Sequence, residues 1–258
     1  MTRIDPSAQV SPRSVIHDGV EIGPFSIIGD EVEIGSGTRV GPHCLIQGPT
    51  TIGSECTLTG YASIGGPPQD LKYKGEKTRL AIGDHNTIRE FVTINRGTTH
   101  GGGITTIGSH NLFMAYTHVA HDCILGDSIV MGNLATLAGH VEVQDHVILG
   151  GLCAAHQFTH IGAYAIIGGG SMISLDIVPY AKASGDRARI FGTNTIGLKR
   201  NGFEEGAIKS ITKAYKIIFK QGRTLKDALA TLESEFAGVP EVERLIAFIR
   251  SSSRGIAR

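Results

Sequence analysis

Residues 117–127 read THVAHDCILGD, which puts His118, His121, Asp122 and Cys123 within six positions of one another. Three chemistries use these residue types. A neutral imidazole titrates near neutrality and can take a proton from a hydroxyl, and an adjacent carboxylate favours the imidazolium that forms. Clustered imidazoles can instead hold zinc. A thiol close to a histidine is a nucleophile when the pair activates it. A polar ladder on a surface needs no function at all. Further along stand Gly139, His140, His156 and Gln157, and only the elements that carry them decide whether they meet.

Those elements are announced by a six-residue period. From Ile4 through Ile64 an aliphatic residue recurs at every sixth position. The series resumes at Ile82, Ile88 and Ile94, slips by one, and runs from Ile107 to Ile173. A period of six fits neither a 3.6-residue helix nor a simple alternating strand. It fits short strands joined by tight turns, with one aliphatic residue per face pointing into a narrow core. Three faces make an 18-residue coil, and the sequence predicts a parallel β-solenoid.

On such a coil, residue n+18 lies about 4.8 Å above residue n. His121 therefore lies beneath Gly139, and Gln157 sits two coils above it. His140 and His156 flank that column by one position each, and His118 stacks below Thr136. A glycine over His121 lets a backbone N–H approach a developing oxyanion with no Cβ in the way. General-base chemistry by His121 is favoured on these grounds. A zinc site is disfavoured because its ligands would sit on separate strands. Cys123 is read as a packed thiol, the commoner fate of a cysteine.

The totals limit the remaining classes. Lys+Arg and Asp+Glu are both 24, so overall charge points to neither nucleic acid nor membrane. The balance hides an asymmetry: residues 1–186 carry 10 basic and 17 acidic side chains, and residues 187–258 carry 14 and 7. A basic tail on an acidic body suits an acidic partner. Cys44, Cys56, Cys123 and Cys153 form no CxxC pair, so neither a zinc ribbon nor a disulfide framework is indicated. The N-terminus lacks an apolar targeting segment and no long apolar run occurs, so a cytoplasmic protein without stable membrane insertion is expected.

Two stretches break the repeat and are expected to loop out. Residues 65–81 contain Pro67-Pro68, and residues 95–106 contain Gly101–Gly103. After Pro179 the periodicity turns helical. Ile208, Ile211, Tyr215 and Ile218 form one stripe that Gly222 ends, Thr224 with Asp227 resembles a capping box, and Pro240 opens a third helix. The expected division is a β-solenoid over 1–190 and a small helical domain over 191–258.

Several ordered motifs are more specific than the repeat: QDLKYKGE (69–76), GGGITTIG (101–108), HVAHDC (118–123), NLATLAGHV (133–141), AAHQF (154–158) and GLKRNGF (197–203). Together they resemble the hexapeptide-repeat acyltransferases that acylate UDP-N-acetylglucosamine from acyl carrier protein at the start of lipid A synthesis, and the resemblance covers nearly the whole chain. It implies a left-handed parallel β-helix, a homotrimer with sites between adjacent subunits, and no cofactor beyond the phosphopantetheine arm that carries the donor. It implies His121 as base with Asp122 as partner and Gly139 N–H facing the oxyanion. Asp70, Lys72, His118, His140, His156 and Gln157 would hold sugar, phosphate and acyl hydroxyl. Asn194 and Arg200 would contact the nucleotide, and Gly169 would leave room for a long acyl chain. Asn95, Ile196 and Asn201 depart from the family pattern, and a 3-amino acceptor or an acyl-CoA donor is the near alternative. A metal-dependent solenoid hydratase and a non-catalytic solenoid are the distant ones.

Overall fold

The computed structural model describes residues 1–258. Mostly two-residue strands wind into a three-faced prism whose faces hold eleven, nine and eight strands. Pairing within the prism is parallel and in register, so the repeat positions stack. On the second face Thr93, His118, Thr136, Ala154 and Met172 form one outward column. The second residue of each short strand points inward, and these aliphatics are almost completely buried from Ile22 to Ile173. Burying one such side chain stabilises the fold by about 1.5–3 kcal/mol. Ile4, Val10 and Ile16 are less covered, because the first coil has no neighbour below it.

The corners explain much of the composition. Eighteen non-glycine residues have φ between +53° and +69°, nearly all at turns between faces. Asn, Asp and His tolerate that region better than most residues. Five histidines (His43, His85, His110, His140 and His146) occupy such corners, as does Asp122. Much of the histidine content is thus backbone accommodation, and it produces corner stacks such as His146 on Tyr164, 4.7 Å between ring centroids.

Both expected excursions are present but shorter than the broken repeat suggests. The ladder persists through Ser63–Gly66 and resumes at Arg79–Ile82, so the first loop spans 67–78. The second spans 96–103, between Thr93–Asn95 and Ile104–Ile107, and holds a single 3₁₀ turn. Non-repeat residues can still pair as strand, which the period cannot show.

The boundary at 190 also moves. Arg189–Thr193 is a strand that pairs antiparallel with Ala181–Ser184, ending the first face, and helices begin only at Thr195. There are four: α1 (Thr195–Arg200), α2 (Glu205–Phe219), α3 (Leu225–Glu235) and α4 (Pro240–Ser251). The short α1 has too few residues to show a period. Thr224 caps α3 by accepting from Asp227 N–H, and Pro240 opens α4. The predicted stripe of α2 is buried, and Tyr215 donates its hydroxyl to Pro179 O. Asp176, 1% exposed, ties the far end of the chain back: its carboxylate accepts from His160 N–H at 2.8 Å and from Ser252 Oγ at 2.6 Å. Asp176→Ala strands these donors and is expected to lower the unfolding free energy by about 1–3 kcal/mol, measured by urea denaturation; an unchanged midpoint would contradict the tie.

Candidate active site

His121 and Asp122 share the turn between the second and third faces. His121 Nδ1 lies 2.8 Å from Asp122 Oδ2. The carboxylate side chain is wholly buried, and donors converge on it as an anion requires. Thr98 gives its backbone N–H to Oδ1 at 2.7 Å and its hydroxyl to Oδ2 at 2.6 Å. Asp122 N–H in turn donates to Thr105 Oγ1 at 2.8 Å. With Nδ1 engaged, the ring presents Nε2 as its free nitrogen.

The neighbouring glycines answer to this packing. A Cβ on Gly139 would lie 2.5 Å from His121 Cε1, so the turn above must be glycine. Gly139 N–H donates to no protein group, which leaves it available beside the imidazole. A Cβ on Gly101 would collide with the Asp122 carboxylate, and Gly102 and Gly103 have φ of +99° and +80°. The three-glycine run is what lets the second excursion close over Asp122.

Other expected residues gather on the same edge. His140 Nε2 lies 3.6 Å from Asp122 Oδ2, its ring meets His121 edge-on, and Phe158 stacks on it at 4.4 Å. His118 Nδ1 is 2.7 Å from Thr93 Oγ1. Burial, seconded by His121, holds the His118 imidazole below its ordinary range, and burial does the same for His140. His156 and Gln157 are exposed above them, with His156 Nδ1 on Gln157 O at 3.1 Å. Asp70 and the exposed Lys72 belong to the first excursion. Asp70 Oδ1 accepts from Lys72 N–H at 2.9 Å, which, with His100 nearby, holds its carboxyl below the usual range.

Three expected residues lie elsewhere in the chain. Asn194 caps α1, accepting from Gly197 N–H and donating to Tyr164 O at 2.9 Å. Tyr164 is at the turn between the third and first faces, a different corner of the prism from His121. Arg200 is exposed at the end of α1. Gly169 stands between the first and second faces, across the second face from the His121 corner. The departures have local roles: Asn95 donates to Pro67 O, and Asn201 caps α1 through Gly197 O. Ile196 is exposed.

Thr98, His100 and Phe158 escaped the sequence reading. Phe158 was within reach, since it lies 18 residues beyond His140. Thr98 and His100 sit on an excursion, where no stacking rule applies. Cys123 is excluded as nucleophile: fully buried, with Sγ donating to Ala138 O, it is pushed up to about 12 by burial and remains a thiol.

The fold and this corner site define a hexapeptide-repeat transferase. Residues 13–48 match the bacterial transferase hexapeptide model, and residues 176–257 match the second domain of UDP-N-acetylglucosamine O-acyltransferase. An acyl-[acyl-carrier-protein]–UDP-N-acetylglucosamine O-acyltransferase of Alkalilimnicola ehrlichii is 57% identical over 258 residues, the full length of both chains. The structure of LpxA from Acinetobacter baumannii superposes with a TM-score of 0.96 at 45% identity, covering 99% of each chain. That of the UDP-N-acetylglucosamine O-acyltransferase of Moraxella catarrhalis does so at 0.96 and 42%, again over 99% of each. The chain belongs to the acyl-[acyl-carrier-protein]–UDP-N-acetylglucosamine O-acyltransferase family; it is an acyltransferase, and its prism is a left-handed β-helix.

The depressed His118 and His140 imidazoles carry a pH signature. An unfolded chain binds protons at these groups near the ordinary value of 6.5, while the folded protein resists them, so stability is complete above that value and declines as pH falls through it. The thermal midpoint is expected to drop between pH 7.5 and 5.5, and less steeply in His118→Gln. Equal slopes in wild type and variant would contradict the assignment.

Proposed function

We infer that this acyltransferase moves a (3R)-3-hydroxyacyl chain from acyl carrier protein to the 3-hydroxyl of UDP-N-acetylglucosamine, the opening step of lipid A synthesis, by direct attack. The observation that carries this reading is the His121–Asp122 dyad under an unpartnered Gly139 N–H. His121 Nε2 takes the proton of the 3-hydroxyl as its oxygen attacks the thioester carbonyl. The tetrahedral oxyanion meets Gly139 N–H, and Asp122 stabilises the imidazolium. As the intermediate collapses, the C–S bond breaks and the imidazolium returns its proton to the departing phosphopantetheine thiolate.

We assign no cofactor or metal to this step. Donor atoms of His121, Asp122 and His140 do lie within 4.8 Å of one another. But Asp122 already accepts from Thr98 twice and from His121, a hydrogen-bonding arrangement in place of a cation cage. Asp70, Lys72, His118, His140, His156 and Gln157 ring the acceptor and the acyl hydroxyl. Because Asn194 and Arg200 occupy another corner, the nucleotide is reached from a second copy, which supports a homotrimer with sites between subunits. Phe25, His43, Tyr61, Phe91 and Tyr116 stack in turn along one edge of the prism, exposed, and offer a largely aromatic surface for such packing. No helix is long and apolar enough to cross a membrane, and we place the reaction in the cytoplasm, with no role for nucleic acid. Lys199, Lys209, Lys213 and Lys216 line one cavity of about 540 Å³ on the helical tail, a surface that suits the acidic carrier protein.

The acyl chain follows the outward column above His118. Above Thr136 in this column, Ala154 and Met172 line a cavity of about 770 Å³, together with His156 and Leu175 and with Arg187, Arg189 and Arg254 at its charged wall. Gly169 leaves its own corner without a side chain, and Met172 stands in the column itself. Met172→Gly is expected to shift donor preference to longer chains and Gly169→Met, at the neighbouring corner, to shorter ones, read from a panel of hydroxyacyl carrier proteins; unchanged preference in Met172→Gly would remove this path.

Incubation of the protein with UDP-N-acetylglucosamine and hydroxyacyl carrier proteins is expected to yield an O-acylated nucleotide sugar by mass spectrometry. His121→Ala should slow transfer by about 100- to 10,000-fold without unfolding, and Cys123→Ala should keep most activity. No acylated sugar from any donor, or a His121→Ala variant as fast as wild type, would defeat the proposal.

A further inference from the structure

The second excursion places two polar side chains, two residues apart, on opposite sides of the site. Thr98 clamps Asp122. His100 reaches the other way: its Nε2 lies 3.1 Å from Asp70 Oδ2 on the first excursion. Its ring centroid is 6.3 Å from that of His140, which itself approaches Asp122. His100 is 45% exposed at the side chain and Asp70 is 17%. The two loops leave separate breaks in the repeat and also meet where Arg96 donates to the Tyr73 hydroxyl at 3.3 Å, and the short 3₁₀ turn at Thr99–Gly101 sets the spacing between the Thr98 and His100 contacts.

We propose that His100 is a positioning residue that fixes Asp70 in register with the His121 base, and so sets acceptor binding. Asp70 Oδ1 accepts from Lys72 N–H, and His100 Nε2 stands 3.1 Å from Oδ2 as an ion-pair contact. Each oxygen keeps further acceptor capacity for ligand hydroxyls, and the two contacts restrain the group. A free carboxylate on a loop would sample many orientations and lose that entropy on binding. It would also repel an anionic nucleotide, a repulsion that a protonated imidazole beside it would offset. One short turn therefore couples the orientation of the base to that of the acceptor contact. The proposal rests on Asp70 as an acceptor contact, as given above.

The test measures KM for UDP-N-acetylglucosamine and kcat in His100→Ala, His100→Gln, Asp70→Ala and the double variant His100→Ala/Asp70→Ala. Removing the polar partner of a carboxylate that contacts the acceptor is worth roughly tenfold in binding, so His100→Ala should raise KM about tenfold with kcat within about twofold. His100→Gln, which keeps a donor, should recover most of that. In the Asp70→Ala background the His100→Ala change should add almost nothing, since contacting residues are coupled. The proposal is overturned if His100→Ala leaves KM unchanged, if it falls on kcat alone, or if its effect is undiminished without Asp70. It is also overturned if Asp70→Ala itself leaves KM unchanged. Failure of the acyl-transfer reading is separate, because the wild-type protein would then form no acylated sugar.

Discussion

A carboxylate buried to zero exposure must be surrounded by donors, and the rest of this structure is arranged around meeting that demand at Asp122. Thr98 supplies two donors from an excursion that interrupts the coil, and His121 supplies a third from the neighbouring position. The excursion can reach Asp122 only because Gly101 has no Cβ. The same contact that solvates the carboxylate orients the imidazole, since Nδ1 is committed to it and Nε2 has no protein partner. Removing any one of these partners leaves a buried charge short of a donor, which costs more than the bond itself.

The prism gives that dyad its precision. Parallel, in-register coils repeat every 18 residues, so a side chain on one coil is fixed relative to the coil above. Gly139 sits over His121 by this arithmetic, and Phe158 over His140. A core one aliphatic residue deep per face backs the corners, and sites on rigid elements keep their geometry better than sites on loops. The helical tail adds what the solenoid lacks: a cationic surface, and an end that Asp176 and Tyr215 lock to the last coils.

Much of this was legible in the sequence, for physical reasons that also set its limits. A six-residue period can only be satisfied by a coil, so the faces, the inward residues and the stacking of His118, His121 and Gly139 follow from counting. Counting fails where the period breaks. His100 and Thr98 sit on a loop of eight residues, and nothing in residue types alone aims them at Asp70 and Asp122. The glycine run was visible but its cause was not, because the crowding at Gly101 comes from a residue 21 positions away. The corner histidines other than His140 (His43, His85, His110 and His146) show the opposite hazard, since tolerance of positive φ puts imidazoles away from the candidate site. Asn194 and Arg200 show another: their corner is set by how the tail folds back, which no repeat encodes. The family resemblance supplied those two residues, the partners and the left hand.

Asp122 is expected to hold the Nδ1–H tautomer of His121 and to leave Nε2 bare to take the hydroxyl proton. Imidazole ¹⁵N chemical shifts of His121, assigned by difference from a His121→Gln variant, measure this directly. The account expects the protonated-nitrogen shift at Nδ1 and the bare-nitrogen shift at Nε2 at pH 7.5, with that preference lost in Asp122→Ala. A proton on Nε2 in the wild-type protein, or the same tautomer with and without the carboxylate, would contradict it.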